Sequence, residues 1–169
     1  YRIETMRHTI AILLQNETGA LSRVASMFST RGYNIESLSV APSQDPMVSR
    51  LTLVTEGEDA VIEQIAKQLY KLIDVIEVLD ITLLDHVERE LMMIKCKFVD
   101  GKQDELQACI DKAKGKIISE VDSYIILEIM SNYDSNNRFL KTIEKTIEVI
   151  AIARSGPLAL AKGQAVISL

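Results

Sequence analysis

A short polar turn at residues 15–19 is the part of this sequence best suited to binding a ligand. It separates an apolar run at residues 8–14 from a helical pattern that begins at Gly19. The first amides of a helix lack partners within the helix and carry the positive end of its dipole, so they suit a carboxylate or phosphate. Gly19 has no Cβ to hold a ligand away, and Asn16 adds a side-chain donor and acceptor. Ordinary helix capping is the alternative explanation of this turn.

Asn34 could complete such a site if two chains pair. It follows Gly32, a predicted helix stop, and opens a half-exposed strand at residues 33–41 that is typical of a sheet edge. Pairing through this edge would bring Asn34 of one chain toward the turn of the other. Backbone donors for a carboxylate, amide oxygens for an ammonium and apolar walls would then form an α-amino acid pocket. Without edge pairing, Asn34 is only a turn residue.

The remaining reactive residue types give no pattern of a catalytic or metal site. Cys96 and Cys109 fall on predicted inner faces, where cysteine serves as a small core residue, and two Cys with two His match no zinc spacing. His8 and His86 have no Asp or Ser pattern that would make a triad. No phosphate loop and no dinucleotide fingerprint is present.

Composition argues against nucleic acid and membrane as partners. The formal net charge is −5, the sequence pI is about 5.1 and aromatic residues make up 5%. RNA binding by a ferredoxin-like sheet needs positive charge and exposed aromatics, and an acyl-phosphate hydrolase of that fold needs an arginine that residues 15–19 lack. No apolar run reaches the length of a membrane span. We therefore expect a cytoplasmic protein, and whether residues 1–5 are native is left open.

Hydrophobic periodicity predicts an α+β fold of two tandem ferredoxin-like units, each with the order β-α-β-β-α-β. The division is expected as a first domain at 1–83 and a second at 84–169, joined near residues 84–87, with an apolar tail after residue 154 that either packs or is loose. In the first unit the predicted strands are 8–14, 33–41, 48–55 and 75–82. One predicted helix spans 19–31, and a second begins at residue 57 and carries an apolar stripe that ends at Ile73. In the second the strands are 90–99, 116–121, 124–131 and 149–153, with helices at 104–113 and 135–146.

A unit of this size has a thin core, because its helices cover only one face of the sheet. The other face and the edge strand need cover. Pairing of two chains through the edge strand would supply part of it, so we expect an oligomer.

Two sequence runs carry a specific family resemblance. Residues 13–24 read LLQNETGALSRV and residues 28–38 read FSTRGYNIESL. Both closely resemble the regulatory (small) subunits of acetolactate synthase, also called acetohydroxyacid synthase, and the likeness covers nearly all of the chain from Met6. It implies an ACT domain, a small-molecule-sensing ferredoxin-like unit, followed by an ACT-like domain.

The resemblance also implies a function and a set of site residues. Family members are not enzymes themselves; they bind and activate the catalytic large subunit and confer feedback inhibition, usually by valine, in branched-chain amino acid biosynthesis. Thiamine diphosphate, Mg²⁺ and FAD would belong to that partner, with no cofactor in this chain. A stand-alone ACT-type amino acid sensor is the alternative, and the preference among valine, leucine and isoleucine stays open. The family's effector-binding positions are Asn16, Gly19, Ala20 and Leu21 in the turn, with Asn34 and Ile35 across the homodimer interface.

The corresponding turn of the second unit, residues 99–103, lacks this pattern and carries Asp100. A carboxylate ligand would be repelled there. No effector site is therefore expected in the second half, which fits a domain used for docking and activation.

Overall fold

The computed structural model describes residues 5–163, which divide into two compact units. Unit 1 consists of residues 5–87 and 158–163, and unit 2 is Glu88–Pro157. The sequence-based boundary lies at 83/84 and assigns the whole tail to the second half, whereas the described part of the tail belongs to unit 1. Residues 1–4 and 164–169, which include most of the leading segment and the end of the tail, lie outside the described residues.

Unit 1 has an antiparallel sheet with the strand order β2-β3-β1-β4, the ferredoxin-like arrangement. Two helices pack on one face of this sheet. Its elements are β1 (Met6–Gln15), α1 (Ala20–Thr30), β2 (Ser37–Pro42), β3 (Val48–Gly57), α2 (Asp59–Leu69) and β4 (Val75–Asp80).

The apolar run of β1 is buried on both faces of the sheet. On the helix side, Ile10, Ile12 and Leu14 belong to the main core. On the opposite side a smaller cluster contains Ala11 and Leu13 of β1 together with Ala159 of a short C-terminal strand, β9 (Leu158–Ala161). The described part of the tail therefore packs on unit 1, and it covers some of the sheet face for which the sequence predicts a need.

Strand β2 and helix α2 of unit 1 differ most from their predicted bounds, and both are shorter in the structure. Strand β2 begins at Ser37, so Asn34 and Ile35 lie in the connection that precedes it. The backbone is held there by its own contacts, since the Thr55 hydroxyl donates to the Asn34 carbonyl at 2.6 Å. Helix α2 ends at Leu69, and Ile73, which the helical stripe predicts as buried, is 85% exposed because the chain has left the helix.

Unit 2 repeats the arrangement with the strand order β6-β7-β5-β8. Strand β5 begins at His86, so part of the predicted linker is strand. Cys96 is fully buried and Cys109 packs against the same core, as predicted for both. Among the described helices, none is long and apolar enough to cross a membrane. The elements of unit 2 are β5 (His86–Phe98), α3 (Gln103–Lys112), β6 (Lys116–Val121), β7 (Tyr124–Ser131), α4 (Tyr133–Ile143) and β8 (Ile147–Arg154).

Candidate functional site

The turn between β1 and α1 places a glycine at the start of the helix. Gly19 is the N-cap residue, and its φ of 85° lies in the left-handed region that favours glycine. No side chain caps the helix there, and no acidic residue occupies its first turn. The Asx or Ser side chain that commonly accepts hydrogen bonds from the first amides of a helix is therefore missing at the start of α1.

The first amides of α1 are only partly used within the chain. The Ala20 amide donates to the Glu17 carbonyl at 3.2 Å, and the Ala20 side chain is buried. In the part of the chain that the structure describes, the amides of Leu21 and Ser22 have no such turn partner. The Leu21 side chain is 38% exposed. The turn therefore offers backbone donors beside an apolar side chain, while Ala20 contributes less than its position suggests.

Arg23 adds a positive charge beside this turn, which the sequence-based analysis missed. Its guanidinium forms an ion pair with the buried carboxylate of Asp74. An added Cβ on Gly19 would lie 2.9 Å from Arg23 Nη1. The bond from Arg23 holds the pKa of Asp74 below its usual range. The pair is separated by 51 residues, so no local pattern could have indicated it.

Asn16 is exposed but is already anchored to a neighbouring loop. Its side-chain Nδ2 donates to the Pro46 carbonyl at 2.9 Å, and its backbone amide donates to the Met47 carbonyl at 2.8 Å. One N–H of the side-chain amide and its Oδ1 oxygen have no partner among residues 5–163, so both a donor and an acceptor remain for a ligand.

Asn34 and Ile35 lie at the opposite end of α1 from the turn. Gly32, with φ of 72°, ends the helix as predicted, and both residues follow it. The eleven residues of α1 span roughly 16 Å at 1.5 Å per residue. One chain therefore brings together Asn16, Gly19, Ala20 and Leu21, but not Asn34 or Ile35. Their contribution to the same site stays a prediction that requires a second chain.

The corresponding turn of unit 2 has the opposite electrostatic character. Gly101 also has a positive φ, 76°, but Asp104 and Glu105 occupy the first turn of α3. Lys102 is paired with Glu105 at 2.8 Å. Acidic side chains at this helix start already interact with its dipole, so an anionic ligand would be repelled.

His8 has partners that the sequence did not reveal. It is buried at the edge of unit 1, with Nδ1 3.0 Å from an Asp80 oxygen and Nε2 3.5 Å from Asp59 Oδ1. A sequence separation of 72 residues explains why the Asp80 contact was not anticipated. The contact joins the strands β1 and β4, which is a structural role.

The fold of unit 1 and its open, glycine-capped helix start define an ACT-type domain, a class of ferredoxin-like domains. Comparison with known families specifies which one. Residues 10–77 match the family model described as the AHAS small subunit-like ACT domain, and residues 89–163 match that of the small subunit of acetolactate synthase.

Individual relatives agree with the family models. The chain is 42% identical to the acetolactate synthase isozyme 3 small subunit of Escherichia coli, over 94% of this chain and 97% of that protein. It is also 42% identical to the acetolactate synthase small subunit of Buchnera aphidicola from Schizaphis graminum, over 94% of this chain and 100% of the other. The crystal structure of the Thermotoga maritima small subunit superposes with a TM-score of 0.84 at 36% identity, covering 95% of this chain and 99% of that one.

The chain therefore belongs to the family of acetolactate synthase small subunits. The predicted α+β fold with ACT-type units is confirmed. The family assignment inferred from residues 13–24 and 28–38 is confirmed as well.

Proposed function

We propose that this chain is the non-catalytic regulatory subunit of an acetolactate synthase. It binds the catalytic large subunit, raises its activity and makes it sensitive to feedback inhibition by valine. Relatives at 42% identity over nearly the whole chain carry the small-subunit name, which supports the pairing with a catalytic partner.

The glycine-capped start of α1 is the observation that carries the effector site. A carboxylate placed there meets the open amides of Leu21 and Ser22 and the positive end of the helix dipole. The Arg23 guanidinium, whose Nε is bound to Asp74, lies beside Gly19 with Nη1 nearest to it and offers a further N–H donor there. The exposed Leu21 side chain offers an apolar contact for a branched aliphatic side chain.

The second wall of the site comes from a homodimer. Strand β2 is at the edge of the unit 1 sheet, where it can pair with β2 of another chain. Asn34 and Ile35 immediately precede this strand, so such pairing carries them toward the other chain's turn. Asn34 would then bind the ammonium group through its amide oxygen, and Ile35 would extend the apolar wall.

The chemistry of acetolactate formation is assigned to the partner. Thiamine diphosphate, Mg²⁺ and FAD bind to the catalytic subunit under this proposal, and both subunits work in the cytoplasm. Valine alters the packing of the small-subunit dimer, and the catalytic subunit responds to that change. A coupling free energy of about 1–3 kcal/mol between the two sites is sufficient for useful regulation.

Reconstitution tests the proposal. The full chain is added to the purified catalytic subunit, and acetolactate formation is measured with and without valine. We expect the chain to raise the rate and valine to remove most of that increase.

The same experiment distinguishes the alternative. A chain that binds valine by calorimetry but neither binds the catalytic subunit nor changes its rate is a stand-alone sensor. A chain that activates the partner without any response to valine contradicts the assigned effector.

A further inference from the structure

A cavity of about 420 Å³ opens between α3 and α4 of unit 2. This volume lies within the range of small-molecule sites, roughly 300–1,000 Å³. The walls come from the end of α3 and the residues that follow it, from strand β7, and from α4 between Ser135 and Thr142. We refer to this cavity as the α3–α4 cleft, and its polar lining includes Lys112, Lys114, Ser135 and Arg138.

The α3–α4 cleft is lined by cations without any acidic residue. Lys112, Lys114 and Arg138 line it, and no Asp or Glu does. Within residues 5–163, none of the three has a carboxylate within ion-pair distance. Arg138 Nη2 instead donates to the Ser135 hydroxyl at 2.9 Å, which fixes the guanidinium beside the cavity. The three exposed cations are therefore not neutralised by a carboxylate of the described residues, and they can pair with an anion from solution.

Helix capping accounts for only part of this charge. Lys112 lies in the last turn of α3, where a cation stabilises the helix dipole. Arg138 is the central residue of α4, where the dipole gives a cation no such benefit. Lys114 adopts φ of 55°, a left-handed conformation in which glycine is the usual residue. The shared feature of the three is the cavity rather than a position on a helix.

The lining of the cleft also has an apolar part. Phe139 and Ile129 line it and belong to the core of unit 2, with exposures of 7% and 1%. Ala113 and Cys109 line it as well and are partly buried. A ligand that fills the cavity thus meets both cations with hydroxyl groups and apolar side chains.

The groove between α1 and α2 of unit 1 is a second cavity lined by cations, and it offers a comparison. It has a volume of about 330 Å³ and is lined by Arg23, Arg31 and Lys71. Arg23 is bound to Asp74, and Arg31 Nη2 donates to the Gln68 side chain at 2.8 Å. One of its three cations, Arg23, is therefore paired with a carboxylate, whereas none of the three that line the α3–α4 cleft is.

We propose that the α3–α4 cleft binds a small organic anion in which a phosphate or carboxylate group is joined to an apolar or aromatic body. The anionic group is held by Lys112, Lys114 and Arg138, and the body rests on Cys109, Ala113 and Phe139. This second ligand site is separate from the turn at Gly19 and does not depend on valine.

Titration of the full chain with four matched probes tests the proposal. Phenyl phosphate, benzoate, inorganic phosphate and phenol are added at constant ionic strength, and backbone amide shifts of α3 and α4 are followed by NMR. We expect phenyl phosphate or benzoate to saturate the shifts with a Kd at least about tenfold lower than that of phosphate or phenol. The better of the first two identifies the anionic group. The proposal is overturned if neither phenyl phosphate nor benzoate binds more tightly than both inorganic phosphate and phenol, or if no probe saturates the shifts.

Two variants of α4 provide a matched pair of charge removals. Arg138→Ala removes a cation that lines the cleft, and Lys141→Ala removes an exposed cation of the same helix that does not. The first should weaken binding of the better probe by about tenfold, and the second should change it less than twofold. If both variants weaken probe binding equally, the effect comes from general surface charge and the site in the cleft is refuted.

A thiol in the wall of the cleft gives an independent readout in the unmutated protein. Cys109 lines the cavity, whereas Cys96 is fully buried, and burial raises the pKa of its thiol to about 11. Iodoacetamide should therefore alkylate Cys109 first, and the better probe should slow this reaction by at least about tenfold when saturating. An unchanged rate of Cys109 alkylation at saturation contradicts binding in the cleft.

Discussion

The turns that lead into α1 and α3 occupy the same place in two copies of one fold, yet their chemistry is opposite. Both contain a glycine with positive φ, 85° at Gly19 and 76° at Gly101. The α1 turn has no acidic residue in the first helical turn and has Arg23 beside it. The α3 turn carries Asp104 and Glu105 in that position.

This difference teaches that the ferredoxin-like frame provides a helix start but does not make it a ligand site. A helix start can bind an anionic ligand only if the chain's own side chains do not already interact with its first amides and its dipole. In α3, acidic side chains occupy the first turn. In α1 there are none, so the carboxylate of another molecule could bind there.

The largest difference between the two turns should appear when both receive the same substitution. Gly19→Asp places a carboxylate where the ligand carboxylate should bind, so we expect valine binding by calorimetry to be lost completely. Gly101→Asp is the matched control, because it brings the same charge and a similar backbone strain of about 1–2 kcal/mol at a left-handed position. That variant should bind valine normally. Unchanged binding in Gly19→Asp would remove the site assignment.

The two units also use their buried ion pairs differently. In unit 1, Arg23 pairs with Asp74 beside the turn. In unit 2, Arg154 donates to the buried Glu90 carboxylate at 2.7 Å from Nη2 and 2.9 Å from Nε, and Asn136 Nδ2 adds a further bond at 3.1 Å. The second cluster therefore stabilises a core, whereas the first supports a candidate site.

Removal of Arg154 should accordingly cost stability. Arg154→Ala leaves the Glu90 carboxylate buried with only Asn136 as a partner, and we expect a loss of about 3 kcal/mol in the free energy of unfolding. Hydrogen exchange should locate the loss in β5 and β8, with β1 and β3 unaffected. Arg89→Ala, the loss of an exposed arginine on β5, is the control. A loss below about 1 kcal/mol in Arg154→Ala would contradict the assignment.

A smaller effect is expected from Asn16→Ala. The loss of one ligand hydrogen bond should weaken valine binding by about 1–3 kcal/mol, measured by calorimetry. Since Asn16 also holds the loop at Pro46, Asp45→Ala serves as a control that loosens this loop through the Met47 amide without touching the turn. Equal losses in both variants would mean that Asn16 acts through the loop alone.

The smallest expected effect concerns acid stability. Because Arg23 lowers the pKa of Asp74 in the folded chain, the pair stabilises the fold above the unfolded-state pKa of about 4. This contribution is lost as the pH falls through the lowered pKa. The difference in Tm between the unmutated chain and Asp74→Asn should therefore shrink below about pH 4. A difference that stays constant from pH 7 to pH 2.5 would show that the ion pair adds nothing.

Local patterns predicted the elements well and their partners poorly. The apolar run of β1, the Gly32 stop and the two β-α-β-β-α-β orders follow from periodicity and turn residues, which act over a few positions. The burial of β1 on both faces depends on Ala159, and the charge beside Gly19 depends on the contact between Arg23 and Asp74. Such contacts join residues far apart in the sequence, and one sequence gives no signal for them. The predicted burial of Ile73 was wrong because the period of apolar residues does not show where a helix ends.

The central claim is that each effector site combines the turn of one chain with Asn34 of another. Mixed dimers of Gly19→Asp and Asn34→Ala chains test it directly, because each such dimer keeps one turn and one Asn34 that face each other. We expect little or no valine binding in either parent dimer and one valine per mixed dimer, measured by calorimetry after isolation with two affinity tags. A mixed dimer that binds valine no better than its parents would contradict a site shared between chains.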